Sequence, residues 1–269
     1  MSIKSLLLIA CIAICTLPAP PALAGQITVA AAADLTFALR DAAARFQSQT
    51  GNPVLLSYGS SGNFFSQIEN GAPFDLFFSA DLDYPRRLAA AGLTEPGSLY
   101  EYALGRIVIW VSSASPLDLG RGLPVLLDSR VRKIAIANPQ HAPYGRAAVA
   151  ALKHAAIYDR LKDKLVLGES VSQAAQFVVS GNADAGVIAL SLAMAPPLKS
   201  KGRFIEIPAA DYPPIIQAAV ILKAAREKRT AAQFLDFLRT PAGVALMERY
   251  GFLLPKQSTA ESAVHTGED

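Results

Sequence analysis

Past residue 25 the chain alternates short apolar runs with longer stretches whose apolar positions recur at helical spacing. That alternation is the signature of strands and helices wound into a mostly parallel sheet. Ile27 to Ala32 reads as a buried strand, and Leu35 to Gln49 as a helix with Leu35, Leu39, Ala42, Ala43 and Phe46 on one face. Strands follow at Val54 to Ser57 and Leu76 to Phe78. Between and after them lie a helix from Gly62 to Glu69, ending at Asn70-Gly71, and another from Tyr84 to Ala91, stopped by Gly92.

A second unit begins after Gly105, where a polar approach leads into the strand Arg106 to Val111. Further strands are predicted at Lys133 to Ala137 and Ala185 to Leu190, with helices at Gly145 to His154, Tyr158 to Lys162 and Ser172 to Ser180. Pro213-Pro214 introduces a strand from Ile215 to Leu222 that reads as the mirror image of the Ile107 strand, a return crossing. Helices at Arg229 to Arg239 and Pro241 to Tyr250 close the chain, and the polar residues 257–269 are expected to be disordered. The expected fold class is therefore α/β with two lobes. The first lobe comprises 25–105 and 212–256, the second is the insertion 106–211, and a hinged cleft between them would bind a ligand by closing.

Residues 1–24 change the picture of where this protein works. Lys4, the apolar run Ser5 to Leu17 and the Ala22-Leu23-Ala24 site ahead of Gly25 have the anatomy of a cleaved export signal. The run is too short to span a bilayer, and Pro18, Pro20 and Pro21 end it. Both cysteines, Cys11 and Cys15, lie inside that segment, so the mature chain has no disulfide or thiolate metal site to lean on. Lipid processing at Cys11, after Leu8-Ile9-Ala10, is a minor alternative that would leave almost no apolar core to the signal. The formal net charge is only +3, with Lys and Arg scattered, so the electrostatic footprint of a nucleic-acid binder is missing.

Four loops rich in small and polar residues sit at predicted strand-to-helix junctions: Ala33-Asp34-Leu35-Thr36, Gly59-Ser60-Ser61-Gly62-Asn63, His141-Ala142-Pro143-Tyr144-Gly145 and Glu169-Ser170-Val171-Ser172. Such junctions lie at the carboxyl ends of strands, where open α/β sheets bind ligands. A serine or aspartate ahead of a helix is ordinarily just an N-cap. Two such loops from each lobe, however, would bring several helix starts with free N–H groups onto one cleft, an anion cage without basic residues.

Catalysis has a weaker basis. His141, His154 and His265 form no metal-binding spacing, and an imagined Ser61–His141 hydrolase pair lacks the nucleophile-elbow sequence. Asp75 and Asp81 read as turn and cap residues rather than an acid–base pair. Trp110 and most of the phenylalanines at 37, 46, 64, 77 and 78 fall at periodic positions and read as core.

The segments "ITVAAAADL", "YGSSGNFFSQIENGAPFDLFFSAD", "ANPQHAPYGRAA", "GESVSQAAQFVVSGNADAGVIA" and "RYGF" resemble, in this order from about Ile27 to Phe252, the periplasmic molybdate-binding proteins of ABC importers, the ModA family. The resemblance implies a type II periplasmic-binding-protein fold holding a tetrahedral oxyanion between lobes by neutral donors. It implies that Ser61 gives hydroxyl and amide, that Tyr144 and Val171 give backbone amides, and that Ser60 lies adjacent. The molybdenum would enter only as the oxyanion, with no protein ligand to the metal and no cofactor.

Two positions depart from the family pattern. Asp34 stands where the family's first loop carries serine, and Ala189 where many relatives carry a tyrosine. A carboxylate beside a dianion is repulsive in a poorly solvated cleft. Asp34 would cap its own helix while its amide still donates, be protonated by the site, or mark a ligand other than molybdate; the first is favoured, since aspartate caps well. The Tyr144 ring is a candidate replacement for the missing hydroxyl at Ala189. The expected function is that of a monomeric periplasmic receptor delivering molybdate and tungstate to a membrane permease. The alternatives are another oxyanion or a small organic anion on the same fold, or, from another class, the Ser61–His141 hydrolase.

Overall fold

The structure is a computed structural model and describes residues 25–254. The expected export signal, its Cys11 and the tail 257–269 lie outside those residues. In chain order the strands and helices are β1 (Ile27–Ala32), α1 (Thr36–Thr50), β2 (Val54–Gly59), α2 (Ser61–Glu69), β3 (Leu76–Ser79), α3 (Asp83–Ala90), β4 (Tyr100–Gly105), β5 (Ile107–Ser112) and β6 (Ile134–Ala137). There follow α4 (Pro143–His154), α5 (Tyr158–Leu161), β7 (Leu165–Gly168), α6 (Val171–Val179), β8 (Ala185–Ala189), α7 (Leu190–Met194), α8 (Pro196–Lys199), β9 (Gly202–Glu206), β10 (Ile215–Ile221), α9 (Lys228–Arg239) and α10 (Pro241–Arg249).

These strands form two five-stranded mixed sheets, ordered β2-β1-β3-β10-β4 and β7-β6-β8-β5-β9. In the first, β1 lies between β2 and β3, parallel to both, and β10 runs antiparallel to β3 and β4. Both faces are covered, which is why β1 is almost wholly apolar rather than alternating. Its pleat sends Ile27, Val29 and Ala31 toward α1 and α9, against Phe46 and Phe234, and Ala30 toward Phe64, Phe65 and Leu88 of α2 and α3. Phe46 and Phe234 meet edge to face, with ring centroids 5.2 Å apart. The second sheet is buried around Trp110, Ile107 and Ile109 of β5, with α4 and α6 packed against β6 and β8.

The expected elements recur within a residue or two. The strand Ile215–Ile221 follows β9 of the second sheet and lies in the first, as a return crossing should; there it pairs with β4, a strand over the stretch read as a polar approach. The outward crossing is made by β4 and β5, which belong to different sheets and are separated only by Arg106. Arg106 is fixed there: its guanidinium donates to the Gly251 carbonyl at 2.9 and 3.2 Å and pairs with Glu206 at 2.9 Å. The strands β4, β7 and β9 were not expected from the sequence; each is an edge strand of its sheet. An edge strand has one neighbour and a partly exposed face, so its hydrophobic signal is diluted.

Candidate functional site

The four polar loops converge. A narrow space is lined by Ala32, Ala33, Asp34, Gly59, Ser60, Ser61, Ala80, Ala142, Pro143, Tyr144 and Val171. The 3-10 turn Ala33–Leu35 and the starts of α2, α4 and α6 all contribute. No Lys, Arg or His is among the lining residues. Local sequence makes each start. Ser60 caps α2 by accepting from Asn63 N at 3.3 Å, Ser170 caps α6 by accepting from Gln173 N at 3.3 Å, and Pro143 opens α4. The first amides of these helices have no partner within the helix, so N–H groups and the positive ends of dipoles face a common space.

Ser61 is 1 % exposed, and its Oγ accepts the Ala80 N–H at 2.9 Å. That bond orients the hydroxyl, while its own proton has no acceptor among the described residues. Ser60 Oγ lies 2.9 Å from His141 Nδ1, and His141 Nε2 lies 3.4 Å from Glu169. The imagined Ser61–His141 pair is therefore absent: the imidazole meets the capping serine instead, and Ser61 is oriented by a backbone amide. Asp75 binds the amides of Thr28 and Arg226, each at 2.7 Å, tying β1 to the approach to α9.

Asp34 does not cap its helix; neither the 3-10 turn nor α1 has a side-chain cap. Its Oδ2 accepts from the Tyr144 hydroxyl at 3.0 Å and from Gln217 Nε2 at 2.8 Å. Gln217 Nε2 also donates to the Tyr144 oxygen at 2.9 Å, and Gln217 Oε1 accepts from Tyr102 at 2.6 Å. The favoured cap loses because a buried carboxylate gains more from two donors brought by the tertiary fold than from one local amide. Asp34 Oδ1 is buried with no partner among the described residues. Burial pushes the Asp34 carboxyl up from 3.8 to about 6, partly offset by the bonds from Gln217 and Tyr144. Burial, with the neighbouring Asp34 charge, also pushes the Tyr144 hydroxyl well above its ordinary value.

The Tyr144 ring is thus committed to Asp34 and does not replace the hydroxyl missing at Ala189. Ala189 itself is fully buried at the end of β8 and does not line the space. Its neighbour Ser191 does the work at this corner, donating from Oγ to the Asp34 carbonyl at 2.8 Å. Gln217, Tyr102 and Ser191 escaped the sequence reading. Gln217 carries the signal that was available: one amide inside the apolar run Ile215–Ile221, fully buried, must have polar partners.

Contacts between the segments of the two sheets flank the cavity. Gly62 N donates to the His141 carbonyl at 2.9 Å, and Arg146 pairs with Asp81. A Cβ at Gly62 would lie 2.7 Å from the His141 carbonyl oxygen, so this close approach requires glycine.

Residues 27–253 match the family described as bacterial extracellular solute-binding protein. The molybdate-binding protein ModA of Rhodobacter capsulatus is 38 % identical over 233 residues, covering 87 % of this chain and 90 % of that one. The structure of the Azotobacter vinelandii periplasmic molybdate-binding protein superimposes with a TM-score of 0.81 at 39 % identity, covering 86 % of this chain and all of that one. A substrate-binding domain of a putative molybdenum ABC transporter from Clostridium difficile gives 0.65 at 27 % identity, covering 87 % of this chain and all of that one. With two mixed α/β sheets flanking a cavity built from helix starts, and relatives matched along nearly their whole length, this chain belongs to the bacterial extracellular solute-binding proteins, in the ModA branch with its type II periplasmic-binding-protein fold.

Proposed function

We propose that this chain is the periplasmic receptor of an ABC importer that captures molybdate, and tungstate with it, and hands the anion to a membrane permease. It is a transport component and not an enzyme, as its ModA relatives are. The single observation that carries the reading is the convergence of four helix starts on one space that no basic side chain lines. Helix starts supply fixed donors and partial positive charge, which suit a fully ionised oxyanion. In a closed, water-poor cleft those donors act at low effective dielectric, and cavity size selects among tetrahedral anions.

In this reading the lobes are 25–105 with 212–256, and 106–211, and they hinge at Arg106 and the return through 207–214. Ser61 gives hydroxyl and amide, and Tyr144 and Val171 give amides, as does Asp34. Ser60 and Gly62 close the cleft against His141. The export signal, periplasmic location, monomeric state and permease partner belong to the same proposal. Among the described residues no helix is long and apolar enough to cross a membrane, and no His, Cys, Asp and Glu cluster is arranged to hold a metal ion.

Calorimetric titration of the mature protein with molybdate, tungstate, sulfate and phosphate tests the ligand. One saturable site for molybdate and tungstate is expected. Saturation by sulfate or phosphate, with none by molybdate, overturns the assignment.

A further inference from the structure

Asp34 is an anomaly in a cage of donors. The other polar side chains that line the space, Ser60, Ser61 and Tyr144, are hydroxyls that can donate, whereas an ionised carboxylate only accepts. Nor can it turn away. Oδ2 is held by Tyr144 and Gln217, the Asp34 main-chain oxygen is held by Ser191, and the residue is 1 % exposed. The remaining atom, Oδ1, is buried without a partner among the described residues, on a residue that lines the cavity.

We propose that Asp34 couples anion capture to proton uptake: Oδ1 takes one proton from solvent as the cleft closes and donates it, in a hydrogen bond, to the bound oxyanion. The inference rests on the oxyanion reading above. It turns the one group that would repel the ligand into another neutral donor. The proton stays on the carboxyl and no covalent bond to the ligand forms or breaks.

The surroundings favour this. From α4 the carboxyl faces Tyr144, from β10 it faces Gln217, with Tyr102 of β4 behind, and from α7 Ser191 reaches its main chain. None of these is a cation that would hold it ionised. Both tyrosine hydroxyls are pushed well above their ordinary range by burial and stay neutral. Burial pushes the Asp34 carboxyl up to about 6, and a dianion beside it raises that further. Of the other titratable groups flanking the cavity, His141 is bonded to Ser60 and faces Glu169, and Asp81, which burial also pushes upward, is paired with Arg146.

The test is calorimetry of the mature protein with sodium molybdate between pH 6 and 8.5, in buffers of different ionisation enthalpy. At pH 8 close to one proton is expected to be taken up per molybdate, with affinity falling about tenfold per pH unit above 7. Asp34→Asn, which keeps an oxygen for Tyr144 and Gln217, is expected to bind with no Asp34-linked uptake and a nearly flat pH profile; Asp34→Ser is a second neutral variant. Saturable binding without proton uptake in the wild type overturns this inference alone, as does uptake that persists unchanged in both variants, which would place the proton elsewhere. No saturable molybdate heat in any of the three proteins overturns the ligand reading and this inference with it.

Discussion

Removing the Asp34 charge while keeping its hydrogen-bonded shape should stabilise the ligand-free protein, and only at neutral and alkaline pH. The folded carboxyl titrates near 6, against an ordinary 3.8, because it is buried. The folded state therefore binds more protons than the unfolded chain between those two values, and stability falls as pH rises through that window. Below about pH 4 the contribution is absent, and above about 6 it is complete. The difference between 3.8 and about 6, at about 1.36 kcal/mol for each step of one pH unit, is a penalty of about 3 kcal/mol. Opening of the cleft returns water to the carboxylate, so this is a ceiling. For a chain of this size 1 kcal/mol moves the melting temperature by about 2–4 °C, so Asp34→Asn should melt as much as about 6–12 °C higher at pH 8. The assay is thermal unfolding of ligand-free wild type and variant, followed by circular dichroism from pH 4.5 to 8. The gap should widen as pH rises. Parallel curves across that range, or a variant that melts lower at pH 8, would refute the assignment of a buried, unpaired charge to Asp34.

Ser61→Ala removes a hydroxyl whose proton has no acceptor among the described residues, and one hydrogen bond to an anion is worth roughly 1.5–3 kcal/mol, so molybdate affinity should drop about 10- to 100-fold in calorimetry. Gly62→Ala places a methyl against the Tyr84 hydroxyl and the His141 carbonyl and Cβ; it should cost about 1–3 kcal/mol, seen as a lower melting temperature without ligand and as weaker molybdate binding in calorimetry. Phe234→Ala opens the aromatic cluster beneath β1 and should cost about 3–5 kcal/mol in urea unfolding.

Much of this protein was legible in its sequence because the signals are local. A strand buried on both faces is mostly apolar, which marks β1, β3, β5 and β10, and a helix packed on a sheet repeats its apolar face, which marks α1 and α9. Helix starts announce themselves through caps and prolines at Ser60, Ser170 and Pro143, so the stretch that builds each wall of the cavity was visible before any of them was assembled. The edge strands β4, β7 and β9 were not, since half-exposed pairing leaves only a diluted pattern. The conformation of Asp34 lay further out of reach. Its neighbours in sequence favour a local cap, yet Tyr144 stands 110 positions away and Gln217 stands 183. Which donor a buried carboxylate meets depends on which distant segments the fold brings beside it, and only the tertiary structure decided that.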